Sequence, residues 1–276
     1  MTVVVTNDDG IESPGIHALA ATLRSLGHDC VVVAPRHDMS GSSAAIGRIE
    51  VGVPTNLHPV TLPPPAEGIT AFAVDGPPGL AAVLAARGAL EGEPRFLVSG
   101  INAGTNTGHS ILHSGTVGAA LTAASFGLSG LAVSLAVAEP MPWDATARFV
   151  GEALELLHAA SRGTVLNVNV PARDNGEGGL RWAELDRFGS FRVAVAERSE
   201  SLVQLEYRAT GYDLDPASDT ALVERGYATV TAIDAIRAIP PDEIPFQKPR
   251  PIPEPRLAEA PSTRASEGQG QRVDVG

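Results

Sequence analysis

Asp8 and Asp9 stand side by side in "NDDG", residues 7–10, where the run "TVVVT" stops. Two carboxylates that close repel each other unless positive charge lies beside them. A hard divalent cation takes oxygen ligands and would answer that repulsion directly. A turn or a helix-capping loop is the plainer reading of the same four residues. Two further loops carry chemistry. "APRHDMSGSSAAIG" offers the hydroxyls of Ser40, Ser42 and Ser43. "VSGINAGTNTGHSILHSGTVGAA" offers Asn102 and Asn106, with Gly100, Gly104 and Gly108 permitting close backbone approach. It then brings Ser114, Gly115 and Thr116 to the start of a helical pattern, where free backbone N–H groups favour a phosphate or another anion. His109 and His113 border this loop; His17, near the start of an earlier helix, reads as a surface or interface residue. Any one Gly or Ser here is an ordinary turn residue; three such loops after three strands carry more information.

Strand and helix signals alternate along the first 171 residues, and these elements must position the three loops. "TVVVT", "CVVVAP", "TAFAV", "RFLVSGIN", "LAVSLA" and "VLNVNVP" read as strands. "SPGIHALAATLRSLG" reads as a helix capped by Ser13, with Pro14 in its first turn and Gly27 at its end. "PGLAAVLAARGAL", "SGTVGAALTAASFG" and "WDATARFVGEALELLHAAS" complete the helices; the last carries Phe149, Val150, Ala153, Leu154 and Leu157 on one face. Continuous apolar strands alternating with helices predict an α/β fold, a doubly wound and mostly parallel sheet covered on both faces. Ligands of such sheets bind outside the carboxyl ends of the strands, where "NDDG" lies.

The pattern changes after Pro171. "LRWAEL", "FRVAVAE" and "LVQLEYRA" read as strands without long helices between them, and "DTALVERGYATVTAI" as a return to the main body. The expected organisation is a core over residues 1–171, a β-rich C-terminal appendage serving as an oligomerisation arm over 172–239, and a flexible Pro-, Ser- and Gln-rich tail over 240–276.

Composition narrows the function. A net charge of −12 speaks against binding a nucleic-acid duplex through basic surface. It leaves room for a small phosphate ester, because a bound cation reverses the local sign of a site. The single cysteine, Cys30, rules out an intrachain disulfide and a thiolate zinc site, and reads as a small buried hydrophobe. The N-terminus lacks the pattern of a signal peptide and no run is long enough to span a bilayer, so a cytoplasmic protein without membrane partners is expected. The chain has no G-x-G-x-x-G after a strand, no Walker loop and no nucleophile elbow.

The stretches "VTNDDGIESPGI", "VVAPRHDMSGSS", "VSGINAGTNTG", "HSGTVGAA" and "LNVNVP" together resemble the SurE family, the stationary-phase survival proteins that act as 5'/3'-nucleotidases. They run in the family's order from residue 5 to residue 171. The resemblance implies a Rossmann-like core and hydrolysis of nucleoside monophosphates. It also implies one divalent metal ion per subunit, Mg²⁺ or Mn²⁺. Asp8, Asp9, Ser40 and Asn102 match the metal ligands. Asn7 and Thr116 join the two carboxylates as catalytic candidates; Ser43, Asn106, His113, Ser114, Gly115 and Thr116 surround the phosphate. A homodimer or homotetramer is implied through the β-rich arm.

The chain departs from the family pattern at four places. His113 stands where Tyr is usual, Ser110 and Leu80 where acids are usual, and Gly47 where Thr is common. These departures leave a second reading open, a phosphate- or nucleotide-binding regulatory protein with weak or no catalysis.

Overall fold

The computed structural model describes residues 2–173, 176, 178–187, 189, 191–209, 213–234 and 236. The strands are β1 (Thr2–Thr6), β2 (Asp29–Pro35), β3 (Leu57–Pro59), β4 (Thr70–Val74), β5 (Phe96–Ala103), β6 (Ser129–Leu135), β7 (Val165–Val170), β8 (Arg181–Trp182), β9 (Phe191–Arg198), β10 (Val203–Ala209) and β11 (Thr229–Ile233). The helices are α1 (Pro14–Ser25), α2 (Pro78–Ala86), α3 (Gly115–Ser125), α4 (Ala147–Ala159) and α5 (Asp219–Glu224). Single 3₁₀ turns cover Gly108–His113 and Trp143–Thr146.

One nine-stranded sheet has the order β3-β4-β2-β1-β5-β6-β7-β11-β8. Strands β4, β2, β1, β5, β6 and β7 are parallel neighbours; β3 and β11 join antiparallel. The chain winds from β1 to β2 on one side and places β5 on the other. The crevice at the carboxyl ends of β1 and β5 is therefore the topological switch point, where such sheets bind ligands. The buried runs Val3–Val5 and Val31–Val33 show why these strands are apolar on both faces. Helices α1 and α4 pack on one face through Ile16, Leu19, Phe149 and Leu154, and α2 and α3 on the other through Ala81, Ala82, Ala119 and Ala123. The Rossmann-like, doubly wound, mostly parallel sheet expected from the alternation is what forms, with an antiparallel hairpin, β9–β10, following it.

Small residues set two approaches that matter for the site. A Cβ at Gly15 would lie 2.1 Å from the Ile101 carbonyl, so α1 sits directly on β5. A Cβ at Gly118 would lie 2.1 Å from the Ser43 carbonyl, so the serine-rich loop after β2 rests on α3.

Local expectations differ from the structure in four places. Ser13 occupies the N-cap of α1 but its side chain caps nothing; its Oγ accepts a hydrogen bond from Asn7 Nδ2 at 2.9 Å. His17 is buried rather than a surface residue, because its Nε2 pairs with the Ile11 carbonyl at 2.9 Å. "LRWAEL" contributes only the two-residue β8, which pairs with β11 at the edge of the main sheet. The short β3, interrupted by prolines in sequence, was not visible as a strand and is fixed only by pairing with β4. Cys30 is partly buried against the core, and burial pushes its thiol up to about 11. The tail expected over 240–276 lies outside the described residues.

Candidate active site

The end of β1 delivers Asn7, Asp8 and Asp9 to the switch-point crevice. Asn7 is fully buried, and its Nδ2 donates to the Gly10 carbonyl at 3.0 Å and to Ser13 Oγ. This amide holds the turn that leads into α1, while Asn7 Oδ1 is buried without a hydrogen-bond partner among the described residues. The Asp8 carbonyl accepts from the Met39 N–H at 2.7 Å, which ties the serine-rich loop to the end of β1.

The side chain of Asp8 is buried. Its Oδ1 accepts from Thr116 Oγ1 at 2.5 Å, and the same hydroxyl lies 3.4 Å from Asn102 Oδ1. Asn102 turns its Nδ2 to the Gly104 carbonyl at 2.7 Å, which leaves its oxygen facing Thr116. A Cβ at Gly115 would lie 2.7 Å from Asp8 Cβ, Asp8 Oδ2 and Ser42 Oγ alike. Ser42 Oγ is buried and has no partner among the described residues. Oxygens of Asp8, Thr116, Asn102 and Ser42 thus converge from three loops.

Asp9 sits beside this cluster with its carboxyl pushed up to about 6. Burial is the main cause, and the negative charges of Asp8 and Asp38 add to it; a hydrogen bond from the Ala103 backbone works the other way. The charges acting on Asp9 are negative, so the pocket favours a cation. The donor set fits a hard divalent ion: two carboxylates, an amide oxygen, hydroxyls and an orphaned buried Ser42 oxygen. Among the described residues no three His, Cys, Asp or Glu side chains gather to hold a metal, so the fit rests on neutral oxygens completing the two acids.

The remaining candidates are placed as follows. Ser40 lies in the exposed turn after β2, where its N–H and Oγ donate to Asp38 Oδ1 at 2.7 and 2.6 Å and hold that carboxyl below its usual range. Ser43 adopts φ 54°, and its Oγ donates to the Leu112 carbonyl at 2.6 Å, bracing one loop against the other. Ser114 is the N-cap of α3, its Oγ accepting from the Val117 N–H at 3.1 Å. His113 is exposed at the end of the 3₁₀ turn. Leu80 is buried in the core of α2 against Gly76, Ser110 Oγ donates to the Thr107 carbonyl at 2.6 Å, and Gly47 adopts φ 74° beside Pro77.

Asn106 is held by residues whose role the motif reading did not assign. Its N–H donates to Asn169 Oδ1 at 2.7 Å, its carbonyl accepts from Asn167 Nδ2 at 2.8 Å and Asn169 Nδ2 at 2.9 Å, and its own Nδ2 donates to Ser134 Oγ at 2.8 Å. Asn167 and Asn169 are fully buried in β7. Two polar residues alternating inside a buried apolar strand are the signal that could have marked them. Asn169→Leu should lower the unfolding free energy by about 1–3 kcal/mol, because it leaves the half-buried Asn106 N–H and carbonyl without the Asn169 amide. Chemical denaturation checks this value.

The family model "Survival protein SurE" matches residues 3–189. A protein of Caldanaerobacter subterraneus subsp. tengcongensis named 5'-nucleotidase SurE is 32% identical over 237 residues, covering 84% of this chain and 91% of its own length. A protein of the same name from Xanthomonas campestris pv. campestris is 35% identical over 248 residues, covering 84% of this chain and 89% of its own. The crystal structure of the SurE protein from Aquifex aeolicus superposes with a TM-score of 0.70 at 28% identity, over 86% of this chain and 95% of the other.

Proposed function

This chain belongs to the SurE family, and we propose that it is a metal-dependent phosphomonoesterase releasing phosphate from nucleoside 5'- or 3'-monophosphates. The observation that carries this reading is the buried meeting of Asp8, Thr116 and Asn102 in the crevice between β1 and β5. The names of the relatives, 5'-nucleotidase SurE, point to the same reaction.

Asp8, Asp9, Ser40 and Asn102 would hold the cation, with Ser42 as a further oxygen the structure brings alongside. A divalent ion bound there supplies Lewis-acid polarisation of a phosphoryl oxygen and a water of lowered pKa. Asp9, next to Asp8 at the end of β1, would orient or deprotonate the attacking water. The free N–H groups of Gly115 and Thr116 at the start of α3 would face the phosphoryl oxygens, and Ser114 shapes that helix start. Ser43, Asn106 and His113 would border the phosphate, Ser43 and Asn106 by holding their loops.

Thr116 gives its hydroxyl hydrogen to Asp8, so its part is to orient that carboxylate rather than to donate to the phosphate. Thr116→Val keeps the branched shape and removes the bond. It should lower kcat/KM by about 10–100-fold, the scale of losing a group that orients a metal ligand. Its stability cost should be about 1.5–3 kcal/mol, that of one hydrogen bond to a charged group. Steady-state kinetics and denaturation of the same variant separate the two effects.

The test of the reaction is phosphate release from a panel of nucleoside monophosphates with Mn²⁺, with Mg²⁺ and with chelator. Metal-dependent turnover supports the proposal; nucleotide bound without turnover favours a binding protein. The hairpin supports assembly into a homodimer or homotetramer, because Val193, Val195, Val203 and Leu205 are all more than half exposed on it. Sedimentation at several concentrations should give a mass above that of one chain; a monomer at micromolar concentration overturns the assembly. Among the described residues no helix is long and apolar enough to cross a membrane.

A further inference from the structure

A buried acid outside the carboxylate site has no part in the chemistry described so far. Asp219 opens α5 and is fully buried. Burying a carboxylate costs more than burying an apolar side chain of that size unless donors surround it. Here donors do. Oδ1 accepts from the N–H of Asp186 at 3.0 Å and of Thr220 at 2.8 Å, and Oδ2 from the N–H of Gly108 at 3.0 Å. Burial pushes this carboxyl up, and the three N–H groups work the other way.

Capping α5 does not require this acid. Ser218 already caps the helix, its Oγ accepting from the Ala221 N–H at 3.2 Å. Two of the three donors to Asp219 are instead distant in sequence, Asp186 by 33 positions and Gly108 by 111. The carboxylate joins the return segment of the chain to the turn Gly108–His113.

That turn runs into Ser114, the N-cap of α3, where the N–H groups of Gly115 and Thr116 have no helix carbonyl to bond. It is held at both ends. At its start Asp219 takes the Gly108 N–H, and the Asp186 carbonyl takes the His109 N–H at 3.1 Å. Near its end the Leu112 carbonyl accepts from Ser43 Oγ. The Ser114 N–H bonds to the Ile111 carbonyl at 3.1 Å, so a shift of the turn carries into the cap. Asp8 and Asn102, in contrast, are delivered by the ends of β1 and β5.

We propose that Asp219 is a positioning residue for the phosphate: through Gly108 it fixes the turn that aims the free N–H groups of α3. The inference rests on reading the start of α3 as the phosphate site, and it gives the return segment a part in that site.

Asp219→Asn tests this with little change of shape. Its one amide oxygen can keep the Asp186 and Thr220 bonds, which share Oδ1, while its NH₂ meets the Gly108 N–H, donor against donor. The Gly108 N–H should exchange with solvent about 10–100-fold faster, the loss of one hydrogen bond to a charged group. Inorganic phosphate, titrated calorimetrically into the full chain with Mn²⁺, should bind about tenfold more weakly, the lower end of the same scale. Mn²⁺ alone should bind as it does to the wild type. Val150→Ala in α4 is the comparison, because it thins the core and lowers stability while phosphate affinity should hold. A purely structural Asp219 would make Asp219→Asn behave like Val150→Ala, and equal phosphate affinity in Asp219→Asn and the wild type overturns the proposal. A wild type that binds no phosphate at millimolar concentration overturns it too. So does a wild-type Gly108 N–H that exchanges as fast as an exposed loop, a measurement that needs no variant to fold. Failure to hydrolyse any nucleoside monophosphate would instead sink the nucleotidase reading, while phosphate affinity would still decide the part of Asp219.

Discussion

Asp8→Asn should weaken Mn²⁺ binding by about 100-fold or more and slow turnover by about 1,000-fold, while the unfolding midpoint barely moves. Asn has nearly the shape of Asp, and its carbonyl oxygen can still accept from Thr116 Oγ1, so the buried contact that fixes the side chain survives. What is lost is a full negative charge among the converging oxygens. Changing a group that only supports a metal ligand commonly costs 10–100-fold in affinity or activity, roughly the lower bound for a direct ligand. The larger rate effect follows because removing one oriented group at a developing charge costs about 10²–10³-fold. Isothermal titration with Mn²⁺ reads the affinity, and denaturation of the same protein reads the fold. Equal affinity in the two proteins would remove Asp8 from the ligand set.

Gly115→Ala should lower kcat/KM by about 100-fold although it adds a single methyl group. The new Cβ would fall 2.7 Å from Asp8 Cβ, Asp8 Oδ2 and Ser42 Oγ, closer than real side chains approach. Asp8 cannot simply swing away, because its backbone carbonyl is held by Met39 and its carboxylate by Thr116. The site must open instead, and a displacement near 1 Å at reacting groups costs about 10²-fold. Overpacking of this kind costs about 1–3 kcal/mol of stability. Gly151→Ala is the control. It lies in α4, where the added Cβ meets Leu26 at an ordinary 3.7 Å, and the better helix former should stabilise by about 0.5–1 kcal/mol. A Gly115→Ala protein with full activity would show that the placement of Asp8 is not critical.

These two residues differ in how visible they are from sequence. Asp8 and Asp9 announce themselves, because adjacent acids at the end of a β-branched run pose an electrostatic problem that local structure cannot solve. Gly115 looked like part of an anion-binding helix start, which it resembles, yet its contact with Asp8 spans 107 positions of chain and could not be read from spacing. Ser42 was one hydroxyl of three with nothing to rank it above Ser40. The rank comes from the fold: Met39 bonds to the Asp8 backbone, and the residues that follow bury Ser42 Oγ beside Gly115 while Ser40 faces Asp38.

The alternation of apolar strands and helices was enough to predict a doubly wound parallel sheet, since burial on both faces imposes that composition residue by residue. The loop positions of the oxygen donors followed as well, because strand ends are local features. The direction of each side chain did not follow. Helix position alone aims Thr116 at a phosphate, and packing turns it to Asp8; local pattern makes Ser13 a cap, and Asn7 takes it; local pattern leaves His17 at the surface, and the Ile11 carbonyl pairs with it inside. Asn167 and Asn169 matched a motif, but their partner Asn106 is supplied by the crossover that sets β6 and β7 beside β5. Periodicity and composition report how much water a residue sees, and that decides the sheet. For Thr116, Asn167 and Asn169 the partner lies 61 to 108 residues away, and only the tertiary structure brings the two together; for Ser13 and His17 it lies six residues away, and the turn out of β1 selects it.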